Sequence, residues 1–240
     1  MTKRTVGAST DSHASTGDEV LDRMLRGGIP DERAILVSGG PGAGKSTLGM
    51  QFLQEGIENG EDVLLVSTEQ TVDELADSFD DFAFALEDDH CHLASVHASL
   101  GRTIEEEEEL VIDTIGESEE TNRTALDLAR PFETRFIEDH LAAYDHCDRV
   151  VFDSVSGLAP LADDTPRFRR NLLELIRTFS DDFEAATMLI AEQSSAHQDV
   201  PAAELLQFTT HGAVQVSREY VAGEYHRFLE VTKMRGTDHD

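Results

Sequence analysis

The stretch AILVSGGPGAGKST holds Gly39, four residues, and then Gly44, Lys45 and Ser46, the G-x-x-x-x-G-K-[ST] spacing of a phosphate-binding loop. The candidate cradle runs through Gly39, Gly40, Pro41, Gly42, Ala43 and Gly44 to Lys45, Ser46 and Thr47. Its glycines let the backbone curl until successive N–H groups converge on one phosphate, and the N-terminus of a following helix adds partial positive charge. Lys45 suits the β- and γ-phosphates of a nucleoside triphosphate, and Ser46 offers a hydroxyl to Mg²⁺. A bare Gly-rich turn with a chance lysine would not need strand, loop and helix in this order.

A Mg²⁺-bound nucleotide needs a further carboxylate at the end of another strand. In DRVVFDSVSGL, the run Arg149 to Phe152 ends in Asp153, a Walker-B type arrangement. In DVLLVSTEQ, Glu69 follows an apolar run, where a carboxylate could orient and partly deprotonate an attacking water; as a bland alternative it is an acid in the first turn of a helix beginning at TVDEL. ATMLIAEQ ends at Gln193, a neutral group able to sense a γ-phosphate or to serve as an ordinary loop residue.

These groups act together only if ordered elements bring them to one place. Apolar runs over 34–38, 62–68, 91–96, 148–153 and 186–192 read as strands, and helical periodicity covers 45–58, 71–79, 132–144 and 167–180. Such alternation predicts an α/β fold, a mostly parallel twisted sheet flanked by helices, with ligand groups at the carboxyl ends of the strands. HGAVQVSREYVAGEYHRFLEVTKM reads as two strands turning near Gly223, an antiparallel hairpin on the sheet edge. A polar, disordered leader is expected to about Ser15, then one domain over 16–240.

The formal charge is −30, and only three of the nineteen basic residues are lysine. Acidic residues spread through nearly every segment keep a surface soluble where salt screens charge over a few ångström, so a salt-loaded, halophilic cytoplasm is expected. That charge counts against nucleic-acid binding, which draws on clustered Lys and Arg. No apolar run could span a bilayer, and Cys91 and Cys147 form no CxxC pair. With Lys3 in the leader, the folded part keeps only Lys45 and Lys233, and Lys233 stands beside Arg235 in VTKMRGTDHD. Two cations kept together in so acidic a chain should have a specific job.

Taken together, STGDEVLDRMLRGGIP, GGPGAGKST, STEQTVDEL, VVFDSVSGL and KMRGTDH resemble the RecA-like P-loop ATPases of the KaiC and RadA type, and the KaiC branch most closely. The resemblance implies ATP and Mg²⁺ as ligands, ATP hydrolysis, and a ring of copies, a hexamer among the sizes it allows, with nucleotide between subunits. It further implies that Lys233 and Arg235 act in trans on a neighbour's γ-phosphate, as an arginine finger does, and that His239 lies near the base or ribose. A signalling or regulatory role with a protein partner follows by the same likeness. The family often has two adjacent Glu where this chain has Glu69 then Gln70. A nucleotide-gated interaction module that hydrolyses almost nothing is therefore an alternative. A RadA-like recombinase paralogue is another, although SSAHQDVPAAELLQF has neither Lys nor Arg. No Asn-Lys-x-Asp motif favours GTP.

Two clusters remain. The run of five Glu in IEEEEELVIDTIGESEETNR reads as a solvated face or mobile insertion rather than a cation site. His90, Cys91 and His92, with His97, invite a metal, and alternation puts His90 and His92 on one side of a strand; the sequence offers no complementary ligand set, so no metal is expected there.

Overall fold

The computed structural model describes residues 12–79, 84, 89–99, 109–115, 121–127, 135–161, 165–193 and 202–236. Strand β1 (His13–Ala14) is followed by helix α1 (Glu19–Met24) and by β2 (Ile29–Pro30), which pairs antiparallel with β1. Asp18 caps α1 by accepting from the N–H groups of Val20 and Leu21. The Asp22 carboxylate accepts from the hydroxyls of Ser15 and Thr16, each at 2.7 Å. The leader expected to about Ser15 is thus corrected: His13 and Ala14 are held by pairing with β2, and Ser15 by the Asp22 side chain of α1.

Strand and helix then alternate through β3 (Ala34–Gly39), α2 (Lys45–Glu58), β4 (Val63–Ser67), α3 (Val72–Phe79) and β5 (Cys91–Ser99). Two further strands follow, β6 (Glu109–Ile115) and β7 (Thr121–Asp127), then α4 (Arg135–Leu141) and β8 (Arg149–Asp153). The chain continues as α5 (Thr165–Arg177), β9 (Ala186–Glu192), α6 (Ala202–Thr209), β10 (Gly212–Val221) and β11 (Glu224–Met234). Among the described residues, nine strands form one sheet in the order β11-β10-β3-β9-β8-β4-β5-β6-β7. The six from β10 to β5 are mutually parallel, and antiparallel pairs flank them on both sides.

The expected fold class holds: a mostly parallel sheet flanked by helices, with an antiparallel hairpin formed by β10 and β11. The pair β6 and β7 was not expected. Within the Glu-rich segment, ELVIDTI forms β6, a strand whose successive positions alternate between two faces through the backbone pleat, and Ile112 packs into the core at 1% exposure. Charge on either side hides so short an alternation; residues 105–108 of the Glu run lie outside the described residues.

Both faces of the central strands are buried, as parallel strands between helices must be. Ile35, Val37, Leu65, Val151, Met188 and Ile190 pack with Leu48, Phe52 and Leu53 of α2. Leu36, Leu64, Val66, Val150, Phe152 and Leu189 pack on the other face with Ile137 of α4, Leu172 and Leu175 of α5, and Leu206 of α6.

Arg149 opens β8 and is only 1% exposed. Its guanidinium meets both carboxylate oxygens of Glu61 and donates to the carbonyls of Ser15 at 2.5 Å and Phe52 at 2.9 Å. It lies 4.8 Å from the centre of the Phe52 ring. Gly56 makes room for it, since a Cβ there would stand 2.7 Å from the Arg149 Cδ. One buried cation therefore joins the opening segment, α2 and the foot of β8.

Candidate functional site

The parallel strands end along one edge of the sheet, and the expected groups follow those ends. Gly39 leaves β3 where a Cβ would stand 2.2 Å from the Val216 carbonyl of β10, so only glycine lets the two strands approach. Gly42 and Gly44 have φ of +68° and +106°, the left-handed region glycine enters freely. A Cβ at Gly40 or Gly42 would meet nothing within 4 Å, so the loop opens onto free space. Gly44 caps α2 without any side-chain bond, which leaves first-turn N–H groups for an anion. The Lys45 ammonium, largely buried, donates to the Gly40 carbonyl at 3.0 Å across the loop it would serve. Ser46 and Thr47 are exposed at the start of the helix.

Asp153 ends β8 beside this loop, and the Ser46 hydroxyl hydrogen-bonds its carboxylate. Burial pushes the Asp153 carboxyl above the usual carboxylate range, and the nearby charges of Glu69 and Glu192 push the same way, against the Ser46 bond and the Lys45 charge. A divalent cation shared by Ser46 and Asp153 would relieve that crowding, and these are the hard oxygen donors Mg²⁺ prefers.

Glu69 sits where β4 and β8 are tied together. The Thr68 hydroxyl donates to the Ser154 carbonyl at 2.6 Å, and the Thr68 N–H to the Asp153 carbonyl at 2.9 Å. The Ser67 hydroxyl accepts from the N–H groups of Glu69 and Gln70, turning the chain out of the strand. The Glu69 side chain is exposed, and one of its oxygens accepts from the Ser154 hydroxyl at 3.0 Å. Gln193 is stitched to the loop through its backbone, its N–H donating to the Gly39 carbonyl at 3.1 Å. Its side chain lines a polar cleft of about 260 Å³ under α6, with Ser38, Gln207, Gln215 and Thr232.

Lys233 and Arg235 lie elsewhere. Lys233 pairs with Ala213, whose partner on β3 is Leu36, three residues before Gly39. Strand rise and strand spacing each amount to about 10 Å over that path, beyond the reach of a lysine side chain to its own phosphate loop. Instead the ammonium donates to the carbonyls of Gln207 and Thr210, both at 2.7 Å, and Arg235 donates to Phe208 at 2.8 Å. Both cations thus satisfy free carbonyls at the negative end of α6. Partial burial and then the charge of Arg235 push the Lys233 ammonium below the usual lysine range. His239 lies outside the described residues.

Three groups at the site escaped the sequence reading. Arg227 of β11 reaches the phosphate loop, its Nε 3.4 Å from where a Cβ on Gly44 would stand. Glu192 bears on Asp153, and Ser154 holds Glu69. Nothing local marks any of them, because hairpin register and strand order bring them in. Among the described residues no helix is long and apolar enough to cross a membrane.

Known proteins agree with this architecture. A UPF0273 protein of Methanopyrus kandleri is 30% identical over 230 residues, covering 94% of this chain and 84% of the relative. A UPF0273 protein of Pyrococcus furiosus is 29% identical over 231 residues, covering 93% and 85%. Among solved structures, a KaiC-like protein from the hyperthermophilic archaeon Pyrococcus horikoshii matches with a TM-score of 0.67 at 20% identity, covering 95% of this chain and 91% of that one. That likeness establishes the RecA-like fold. The family model for the KaiC ATPase matches residues 14–240, nearly the whole chain, and the protein therefore belongs to the KaiC family of ATPases.

Proposed function

We propose that this protein is an ATP-binding, Mg²⁺-dependent ATPase, one domain over 16–240, whose copies form a ring with nucleotide at the interfaces and serve signalling or regulation in a salt-loaded cytoplasm. The observation that carries the reading is the convergence at one sheet edge of an uncapped helix N-terminus, Lys45, the bonded pair Ser46 and Asp153, and Glu69. Bound Mg²⁺ would be held by Ser46 and Asp153 and would neutralise charge on the β- and γ-phosphates. Lys45 exchanges the Gly40 carbonyl for phosphate oxygens. Glu69, steadied by Ser154, orients the attacking water and accepts its proton. Gln193 senses the γ-phosphate from beside Gly39, Arg227 adds positive charge within the same chain, and His239 adjoins the base or ribose.

Lys233 and Arg235 act on the triphosphate of the adjoining copy, which fits their distance from their own loop. Their bonds to the end of α6 hold them at a fixed height on the sheet edge. Phosphate release in molar salt tests the enzyme reading: Lys45→Ala and Glu69→Gln should each fall to background, and equal rates in parent and Glu69→Gln would remove it. Lys233→Ala should keep ATP affinity within a few-fold while losing turnover, and mixing it with Lys45→Ala should restore part of the activity. No recovery in any mixture would argue against action across the interface.

A second reading, a nucleotide-gated interaction module with almost no turnover, is favoured by Gln70 beside Glu69 and by the Ser154 hydroxyl occupying the Glu69 carboxylate. Light scattering with and without Mg-ATP separates the two: assembly that responds to ATP without phosphate release supports the module.

A further inference from the structure

At the other end of the sheet, the parallel pairing of β4 with β5 and β8 gathers a second set of chemically capable side chains. Val63, which opens the described pairing of β4, sits opposite both Cys91 and Arg149. Asp62 just before β4, His92 near the start of β5, and His146 and Cys147 just before β8 therefore meet at the foot of three neighbouring strands. Donor atoms of His92, His146 and Cys147 all lie within 4.8 Å of one another. The His92 Nε2, a buried atom, is 4.0 Å from an Asp62 carboxylate oxygen.

We propose that His92, His146 and Cys147, with Asp62 as fourth donor, form a metal site of the zinc class at the foot of the sheet, remote from the phosphate loop. The donor set is the first argument. Two imidazoles and a thiol select Zn²⁺ and similar borderline ions, whereas the oxygen donors at Ser46 and Asp153 suit Mg²⁺, so the two sites do not compete. The geometry is the second. Tetrahedral zinc with bonds of about 2.0–2.3 Å holds its donors about 3.3–3.8 Å apart, so the observed spread closes by about 1 Å. His146 is exposed and free to make that small adjustment, while Cys147 is fixed at 1% exposure, its N–H donating to the Tyr144 carbonyl.

The surroundings supply the third argument. Asp62, Asp145 and Asp148 all bear electrostatically on the Cys147 sulfur, so the pocket carries negative potential that favours a cation. His90 hydrogen-bonds the Asp62 carboxylate through Nδ1 at 2.8 Å, the kind of outer contact that orients a ligating carboxylate. The histidine pair His90 and His92 finds in His146 and Cys147 the complementary donors that the sequence, with more than fifty intervening residues, could not reveal. A bound ion would pin the starts of β4, β5 and β8.

The test uses tag-free, reduced, full-length protein stripped with a chelator and titrated with Co²⁺, then Zn²⁺, in molar KCl. One equivalent of Co²⁺ should give the strong visible bands of four-coordination and a near-ultraviolet thiolate-to-cobalt band, both erased by one equivalent of Zn²⁺. Cys147→Ser should lose the thiolate band, and His92→Ala or His146→Ala should weaken Co²⁺ binding about tenfold or more, while Cys91→Ser keeps both signals. His146→Ala keeps the test decisive should a buried substitution unfold, because His146 is exposed. Absence of the thiolate band in the parent, transfer of its loss to Cys91→Ser, or unchanged affinity in His146→Ala would each overturn the site.

Discussion

Replacing Arg149 by alanine removes the buried cation that joins three parts of the chain. Breaking a buried ion pair by deleting one partner costs about 3–5 kcal/mol. Glu61, at 31% side-chain exposure, regains some water, which favours the lower end, while the carbonyls of Ser15 and Phe52 lose their charged donor. At about 2–4 °C per kcal/mol for a chain of this size, a loss near 3 kcal/mol lowers the melting temperature by about 6–12 °C. Gly56 sharpens the test. Alanine there gains about 1 kcal/mol of helix preference, yet its Cβ would stand 2.7 Å from the Arg149 Cδ and 2.8 Å from Nε, so Gly56→Ala destabilises the parent. In the Arg149→Ala background the two nearest contacts are gone while the Val63 Cγ1 contact at 2.9 Å stays, and the same change should cost much less. Unfolding followed by circular dichroism in molar salt, on parent, both single variants and the double variant, measures this coupling. An Arg149→Ala protein within about 1 kcal/mol of the parent, or two substitutions whose costs simply add, would refute the reasoning.

Gly39→Ala should separate β10 from β3 at the phosphate loop and abolish binding of a nucleotide analogue, so unchanged affinity by calorimetry would count against the close approach at Val216. Ser154→Ala should lower phosphate release more than nucleotide affinity, since it frees Glu69; equal losses would reduce Ser154 to a strand-end tie. His211 is held below the usual histidine range by burial first, then by the charges of Arg33, Arg235 and Lys233, against a backbone bond with Arg235. Its contribution to stability is present above the unfolded value of 6.5 and is lost as pH falls through the depressed folded value. Melting temperatures between neutral and mildly acidic pH should therefore fall less steeply in His211→Gln, and an unchanged slope would contradict this. Lys233→Ala should also cost about 1 kcal/mol of stability through the lost cap on α6, checked by urea unfolding.

The phosphate loop, the run ending in Asp153 and the run before Glu69 were legible in the sequence because their signals are local: glycine spacing fixes where a backbone can curl, and unbroken apolar runs mark strands buried on both faces. The fold class followed from the same alternation. What the sequence could not order was the sheet. Only the pairing of β4 with β8 ties Glu69 to Ser154, only the register of β10 and β11 brings Arg227 to Gly44 and keeps Lys233 near the level of Leu36, and only the foot of three strands gathers Asp62, His92, His146 and Cys147. The scarcity of lysine pointed to Lys233 as purposeful, yet its bonds to the end of α6 depend on a helix 23 and 26 residues earlier in the chain. Local physics chooses elements, because dihedral preference and apolar periodicity act within a few residues. Which side chains meet is decided by the packing of those elements, a contest among distant surfaces that no single stretch of sequence contains.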